Sequence, residues 1–365
     1  MYIINQALPS GLHFLAWMYA LFGVIASFGV GNATQINAAV TGIREAFRHY
    51  HWNLSPVFSL LITTALAGTV GALLFGGAKR IGAAAERLIP FAAACYILMC
   101  LGVLVCRWRQ IPDAFRVIVQ GAFSPRAVTG GMIGSSFQTL RVGCSRGVFT
   151  NEAGMGTASI AHAGAEGVHP ARQGMMGIME VFLDTIVICT MTALVILVSG
   201  VPVSYGTDAG AELTAAAFSD LYGGGAVLLL AAAMTLFAVA TVLGWGLYGA
   251  RCAQFLFGDR AWPYFAALQI VTVFAGSFLE TSILWQLAEA VNGLMAIPNL
   301  ITLALLSSEV VRFTIEYRKS DGQNVSGGTY ANFHQRKPLR TLSHAEIPSS
   351  GRRRQEGRKK DLSSE

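Results

Sequence analysis

The sequence predicts an all-α, polytopic membrane protein with about eight spanning segments. Two observations carry that prediction. Hydrophobic residues make up 53% of the chain and charged residues only 13%, where a soluble domain carries about 25% charged. The apolar residues also fall in long runs: Leu88 to Cys106 holds no charge and is bracketed by Arg87 and Arg107, long enough to cross hydrocarbon as a helix. The 40 glycines suit such a bundle, because small residues let membrane helices pack closely.

In chain order, the first segment is 12–42, free of Asp, Glu, Lys and Arg, and it reads as a span rather than a cleaved leader. The second is 56–78, ending at Lys79-Arg80, and the third is Leu88–Cys106. PDAFRVIVQGAF then reads as an amphipathic helix along the interface. The fourth segment, 127–165, is too long and too polar for a plain helix. The remaining four are 173–200, 225–250, 262–279 and 281–311. A transmembrane domain over 1–312 thus precedes a basic, disordered tail over 313–365, with RRR at 352–354 and RKK at 358–360.

Basic residues set the orientation. Loops 79–87, 166–172 and 251–260 and the tail carry Lys or Arg, whereas loop 201–224 carries Asp208, Glu212 and Asp220. Both termini are therefore expected in the cytoplasm, against the dissent of loop 107–126 with its four arginines. Much of the net charge of +6 lies in the tail, which argues against a nucleic-acid partner. None of the six cysteines forms a CxxC pair, so neither a metal site nor a disulfide framework is expected.

The chemistry concentrates in RGVFTNEAGMGTAS, residues 146–159. Asn151-Glu-Ala-Gly-Met-Gly156 lies inside the fourth span, and Gly154 and Gly156 supply what a helix break needs. Unpaired amides in hydrocarbon cost several kcal/mol each, about 2–7 by choice of reference, so a break there serves something. A half-helix end offers positive potential to an anion, and bare carbonyls attract a cation; together they suit a zwitterion. A glycine-rich packing face with Asn151 bonded to a neighbouring helix is the competing reading.

Two further spans pair an apolar plane with a hydrogen-bonding group, as small-ligand pockets do. In FGVGNATQINAA, Phe28 and Gln35 are seven residues apart; in TVLGWGLYG, Thr241 and Trp245 are four apart. Both spacings keep a helical face. Packing for Trp245 and interhelical bonding for Gln35 remain open as alternatives. GALLFGGAK at 71–79 lacks the Ser/Thr of a phosphate loop, and GVGN at 29–32 has no strand before it. His162, Glu166 and His169 read as surface, not metal ligands. Arg141, Arg146, Glu152, Glu180, Asp184 and Glu289 each cost about 2.5–3.5 kcal/mol at a helix centre, so they should face inward. Structural ion pairing is the commoner reason for such charges; an Arg146–Glu152 pair and a gating role for Asp184 are the specific expectations.

RGVFTNEAGMGTASIAHAGAEGVHPARQG with VFLDTIVICTMTALVILVSG resembles the alanine/glycine:cation symporter family, the sodium:alanine symporters. The likeness continues through FGVGNATQINAA, TVLGWGLYGARC and LAEAVNGLMAIPNLITLALLS, covering residues 12–311. It implies a multi-pass protein of the cell (inner) membrane with a partial LeuT-type inverted-repeat bundle. It further implies a symporter that moves alanine, glycine or a similar small neutral amino acid with sodium, and no enzyme or cofactor beyond that coupling ion. The implied pocket comprises Phe28, Gln35, Asn151, Met155, Thr241 and Trp245. The resemblance sets residue 12 at the third core helix, so it implies that the first two core helices, including a GTGN-like turn, are missing. Sodium in such a fold is expected between the first and eighth core helices, where Thr235 or Thr241 would give oxygen. A truncated, transport-inactive membrane remnant or interaction subunit is the alternative. No catalytic constellation is visible.

Overall fold

The computed structural model describes residues 1–52, 55–123, 132–165, 169–203, 211–279 and 281–324. The described residues are almost entirely helical. After α1 (Tyr2–Ala7), α2 (Phe14–Phe28) passes through a π segment, Gly29–Ala33, directly into α3 (Thr34–His49). Then come α4 (Pro56–Leu74), α5 (Gly77–Cys106), α6 (Ile111–Phe123), α7 (Met132–Asn151) and α8 (Thr157–His162). Next, α9 (Pro170–Val181) continues through a second π segment, Phe182–Cys189, into α10 (Thr190–Ser199). The chain completes with α11 (Ala211–Tyr222), α12 (Gly224–Phe257), α13 (Ala261–Gly276), α14 (Thr281–Leu305) and α15 (Ser307–Asn324).

Local chemistry sets several of these boundaries. Ser55 caps α4 by accepting the Phe58 N–H at 3.3 Å, with Pro56 at the first helical position, where its missing donor costs nothing. His169 and Pro170 repeat the arrangement at α9. Gly200 closes α10 at φ 74°, a left-handed cap for which glycine carries no Cβ penalty.

Six helical stretches among the described residues are long and apolar enough to cross a membrane: Ser10–His49, Pro56–Leu74, Gly77–Cys106, Pro170–Ser199, Gly224–Phe257 and Gln286–Leu305. This is a multi-pass membrane protein. Two of the eight expected segments differ. Helix α7 carries Arg141 and Arg146 and ends at Asn151, so the polarity noted in the sequence removes it from the apolar spans. Helix α13 has 16 residues, about 24 Å, short of a hydrocarbon core of about 30 Å. Helix α6 occupies the stretch expected to be amphipathic. The boundary expected at 312 falls inside α15, and the basic clusters beyond 350 lie outside the described residues.

Helix α12 is the hub. It packs on α2, α3, α4, α5 and α13, and 56% of its most apolar window is buried against 17% for Pro170–Ser199. Outward-facing Trp17, Leu61, Val105, Ile178 and Val271 are exposed, as lipid contact requires. One buried cluster joins Tyr19, Val30, Met155, Trp245, Cys252, Ala288 and Met295. A second joins Ile36, Val70, Leu74, Leu243 and Val273 between α3, α4, α12 and α13. A third unites α5, α10, α11 and α12 around Tyr96, Cys100, Val195 and Phe218. There, Tyr96 and Thr192 share a 2.7 Å hydrogen bond, and the Arg107 guanidinium pairs with Asp220.

Candidate functional site

Between α7 and α8 the helix opens from 152 to 156 and starts again at Thr157. The turn is made by three residues in the left-handed region: Glu152 at φ 48°, Gly154 at 73° and Gly156 at 78°. For glycine this costs little, but for Glu152 it is strain, and strain of this kind gathers at functional sites.

Neighbouring side chains take up the carbonyls that the turn releases. Asn299 on α14 donates its amide to the Gly154 carbonyl at 2.8 Å, and the Ser159 hydroxyl donates to the Gly156 carbonyl at 2.6 Å. Within the turn, the Met155 N–H donates to the Glu152 carbonyl at 3.1 Å. Asn151 is held from the other side, its Oδ1 accepting from Thr185 at 2.5 Å. Thr185 lies in the second π segment, beside Asp184, whose Oδ2 is buried without a hydrogen-bond partner.

Met155 is fully buried and drops from the turn into the cluster that holds Trp245. Trp245 is 3% exposed. It lies edge-on to Tyr248 at 5.7 Å and is wedged against Gly31, where a Cβ would stand 2.0 Å from the Trp245 Cβ. The Glu152 carboxylate faces Thr157 and the same indole. Asn151, Glu152, Met155 and Trp245 are therefore brought to one place by α7, the turn and α12.

The other expected residues have partners of their own. Phe28 stacks on Phe265 at 5.1 Å, in a cluster with Ala250 and Ala253. The Gln35 amide donates back to the Val30 carbonyl at 3.5 Å, a carbonyl also taken by the Thr34 hydroxyl at 2.6 Å. Their seven-residue spacing spans the π segment Gly29–Ala33, and its wider turn rotates α3 by about a quarter turn relative to α2. The two side chains therefore do not share a face. Thr241 donates to the Phe237 carbonyl at 2.9 Å and Thr235 to Ala231 at 2.7 Å. Six residues apart, those hydroxyls lie about 120° from each other around α12, so one cation does not meet both.

Among the in-span charges, Arg146 reaches Glu289 on α14 at 3.4 Å, not the Glu152 expected from the sequence. Glu289 is the nearer match because α7 packs along α14 while Glu152 turns inward with the break. His162 stands 2.6 Å from the Gln173 amide and 3.4 Å from Glu180, a helix-to-helix tie. Among the described residues no three His, Cys, Asp or Glu gather as metal ligands; Glu166 lies outside them.

Sequence reasoning missed Tyr19 and Asn299. Asn299 had a signal, standing next to the in-helix Pro298 in an otherwise apolar run. Tyr19 had none beyond being one hydroxyl in a lipid-length segment.

The chain is similar to known proteins over most of its length. A model described as the sodium:alanine symporter family matches residues 1–330. The chain is 37% identical over 322 residues to an uncharacterized transporter of Haemophilus influenzae, covering 87% of this chain and 68% of that one. It is 38% identical over 331 residues to the sodium/alanine symporter AgcS of Methanococcus maripaludis, covering 89% and 70%. Against the amino-acid carrier protein AlsT of Bacillus subtilis it is 34% identical over 313 residues, covering 85% and 64%. The chain thus spans about two thirds of the length of these relatives.

Proposed function

The chain belongs to the sodium:alanine symporter family, and from that premise we propose that it couples sodium entry to uptake of a small neutral amino acid such as alanine or glycine. The observation that carries the reading is the broken helix at 152–156, with Met155 and Trp245 packed against it. A half-helix end supplies potential and hydrogen bonds for the charged groups of an amino acid. Met155 and Trp245 supply the apolar wall for its side chain. Two such large residues crowd the turn, which favours alanine and glycine over larger substrates. Asn151 orders the entry to the turn from α7, and Thr241 stands one turn from Trp245 on α12. Phe28 and Gln35 flank the site from α2 and α3. The family is one of transporters, and the reading requires no covalent step.

The energetics suffice. One sodium ion moving down 100 mV releases about 2.3 kcal/mol, enough for roughly fifty-fold accumulation. Charge asymmetry between loops supports a cytoplasmic placement for both ends of the chain, in the inner membrane. The test is sodium-gradient-driven uptake of labelled alanine into liposomes holding the 365-residue chain. Uptake that collapses when sodium is replaced by choline supports the reading. Folded protein that binds no alanine and carries none supports a transport-inactive membrane protein instead.

A further inference from the structure

Helix α15 begins where the α14 span ends. Leu306 makes the turn between them, its carbonyl accepting the Glu309 and Val310 N–H groups at 3.0 and 3.2 Å. From there α15 packs back on α9, and it does so with two aromatic rings. His169, the N-terminal cap of α9, lies 5.2 Å from the Tyr317 ring and 6.4 Å from that of Phe313. His169 immediately precedes the span Pro170–Ser199. Residues 313–317 are therefore level with the end of a membrane helix, where hydrocarbon gives way to headgroups.

At about 100° per residue, the face of α15 opposite those rings carries Val311, Ile315, Arg318 and Lys319. All four are exposed, Val311 at 57% and Ile315 at 48%. Arg312 is spent on another flank, pairing with Glu309 at 2.6 Å and Glu316 at 3.8 Å. Among the described residues, neither the Arg318 nor the Lys319 side chain has an ion-pair or hydrogen-bond partner. The helix is neutral over its length, three basic residues against three acidic, so any attraction for anions comes from this face. It is apolar toward α14 and cationic toward its C-terminus. A bilayer boundary suits both halves: Val and Ile enter the acyl edge, while Arg and Lys reach back to phosphates. Exposed Arg172, in the first turn of α9, adds a cation at the same level. The sequence that follows has the same sign, with nine Lys and Arg against four Asp and Glu over 325–365.

We propose that this face of α15 lies on the bilayer boundary and binds anionic lipid headgroups through Arg318 and Lys319, with Val311 and Ile315 as its apolar foot. The occupant is the anionic membrane surface itself. A second copy of the chain fits less well, because a two-fold pairing of this face brings like charges together. The inference goes beyond the transport reading and stands whichever substrate or ion the protein carries.

The measurement is hydrogen exchange of peptides covering 307–324 in the full chain, in choline chloride. The chain is held in nanodiscs of phosphatidylcholine alone or of phosphatidylcholine mixed with phosphatidylglycerol. Phosphatidylglycerol is expected to slow exchange by about fivefold for each basic residue seated, while peptides from α2 keep their rates. Arg318→Gln combined with Lys319→Gln is expected to abolish that difference, and Ile315→Ser to speed exchange in both lipids. Should the double variant fold poorly, as faster exchange in α2 would show, each single change is expected to remove about fivefold. Equal rates in the two lipids overturn the proposal, as does a phosphatidylglycerol effect that survives both glutamine changes. Slowing by inorganic phosphate in detergent, equal to that by phosphatidylglycerol, assigns the face to a free anion and overturns it. Slowing in phosphatidylcholine that grows with the number of chains per disc assigns the face to a second copy and also overturns it.

Discussion

The π segment Gly29–Ala33 and the break at 152–156 both abandon α-helical geometry, and they resolve it differently. The π segment Gly29–Ala33 keeps the chain helical and closes over itself. The Val30 carbonyl is taken by Thr34 and Gln35, Asn32 donates to the Gln269 carbonyl at 2.8 Å, and Trp245 covers Gly31. What remains unpartnered there is neutral and of both kinds, Asn32 Oδ1 with both polar atoms of the Gln269 amide. Such a mixture of donor and acceptor suits an internal water. At the break at 152–156 the Tyr19 hydroxyl is left without a partner, and the Thr157 hydroxyl faces a carboxylate, that of Glu152. Irregular backbone alone therefore does not mark a ligand site; the charge and polarity of what is left over do.

The comparison can be broken at its strongest points first. Trp245→Ala removes the side chain that seals one stretch and faces the other. It is expected to cost about 3–5 kcal/mol of stability, as large-to-small changes in packed cores do, visible as a lower melting temperature in detergent. Loss of alanine binding in that variant would then mix folding with contact. Gly31→Ala drives a Cβ into the Trp245 Cβ, an overpacking expected to cost about 3 kcal/mol. In a Trp245→Gly background, where the clashing Cβ is gone as well, the same glycine change should cost much less, a coupling that a double-mutant cycle reads directly. Equal cost in both backgrounds would contradict the contact.

Gly156→Ala comes next. Its left-handed φ of 78° predicts a backbone cost of about 1–2 kcal/mol, and its Cβ, 2.6 Å from Asn299 Oδ1, adds overpacking, both read as a lower melting temperature in detergent. Asn299→Ala should cost about 1–3 kcal/mol by leaving the Gly154 carbonyl without its donor. The smallest effect belongs to the π segment. Thr34→Val removes one bond to a carbonyl that Gln35 still reaches, so about 1 kcal/mol or less is expected, with alanine uptake unchanged.

The spans were legible in the sequence because hydropathy over a lipid-length run is a property of composition, which needs no partner. The break was legible for a related reason: Gly154 and Gly156 are residues that accept left-handed backbone, and they stand in an apolar neighbourhood. The π segment was not legible. GVGNA announces no change of pitch, so the seven-residue Phe28–Gln35 spacing, one face in an ideal helix, is offset by about a quarter turn. Arg146 was read against the acid nearest in sequence, and the structure gave it Glu289, far along the chain on α14. Tyr19 and Asn299 were invisible for the same reason: their meaning comes from what they face across the bundle.

The most direct measurement is hydrogen exchange of the full chain in lipid, compared between choline chloride and sodium chloride with alanine. The account predicts that peptides covering 149–159 slow on addition of both ligands while peptides covering 29–35 keep their rates. Protection at 29–35 with none at 149–159 would contradict it, moving the ligand to the π segment and leaving the break as packing.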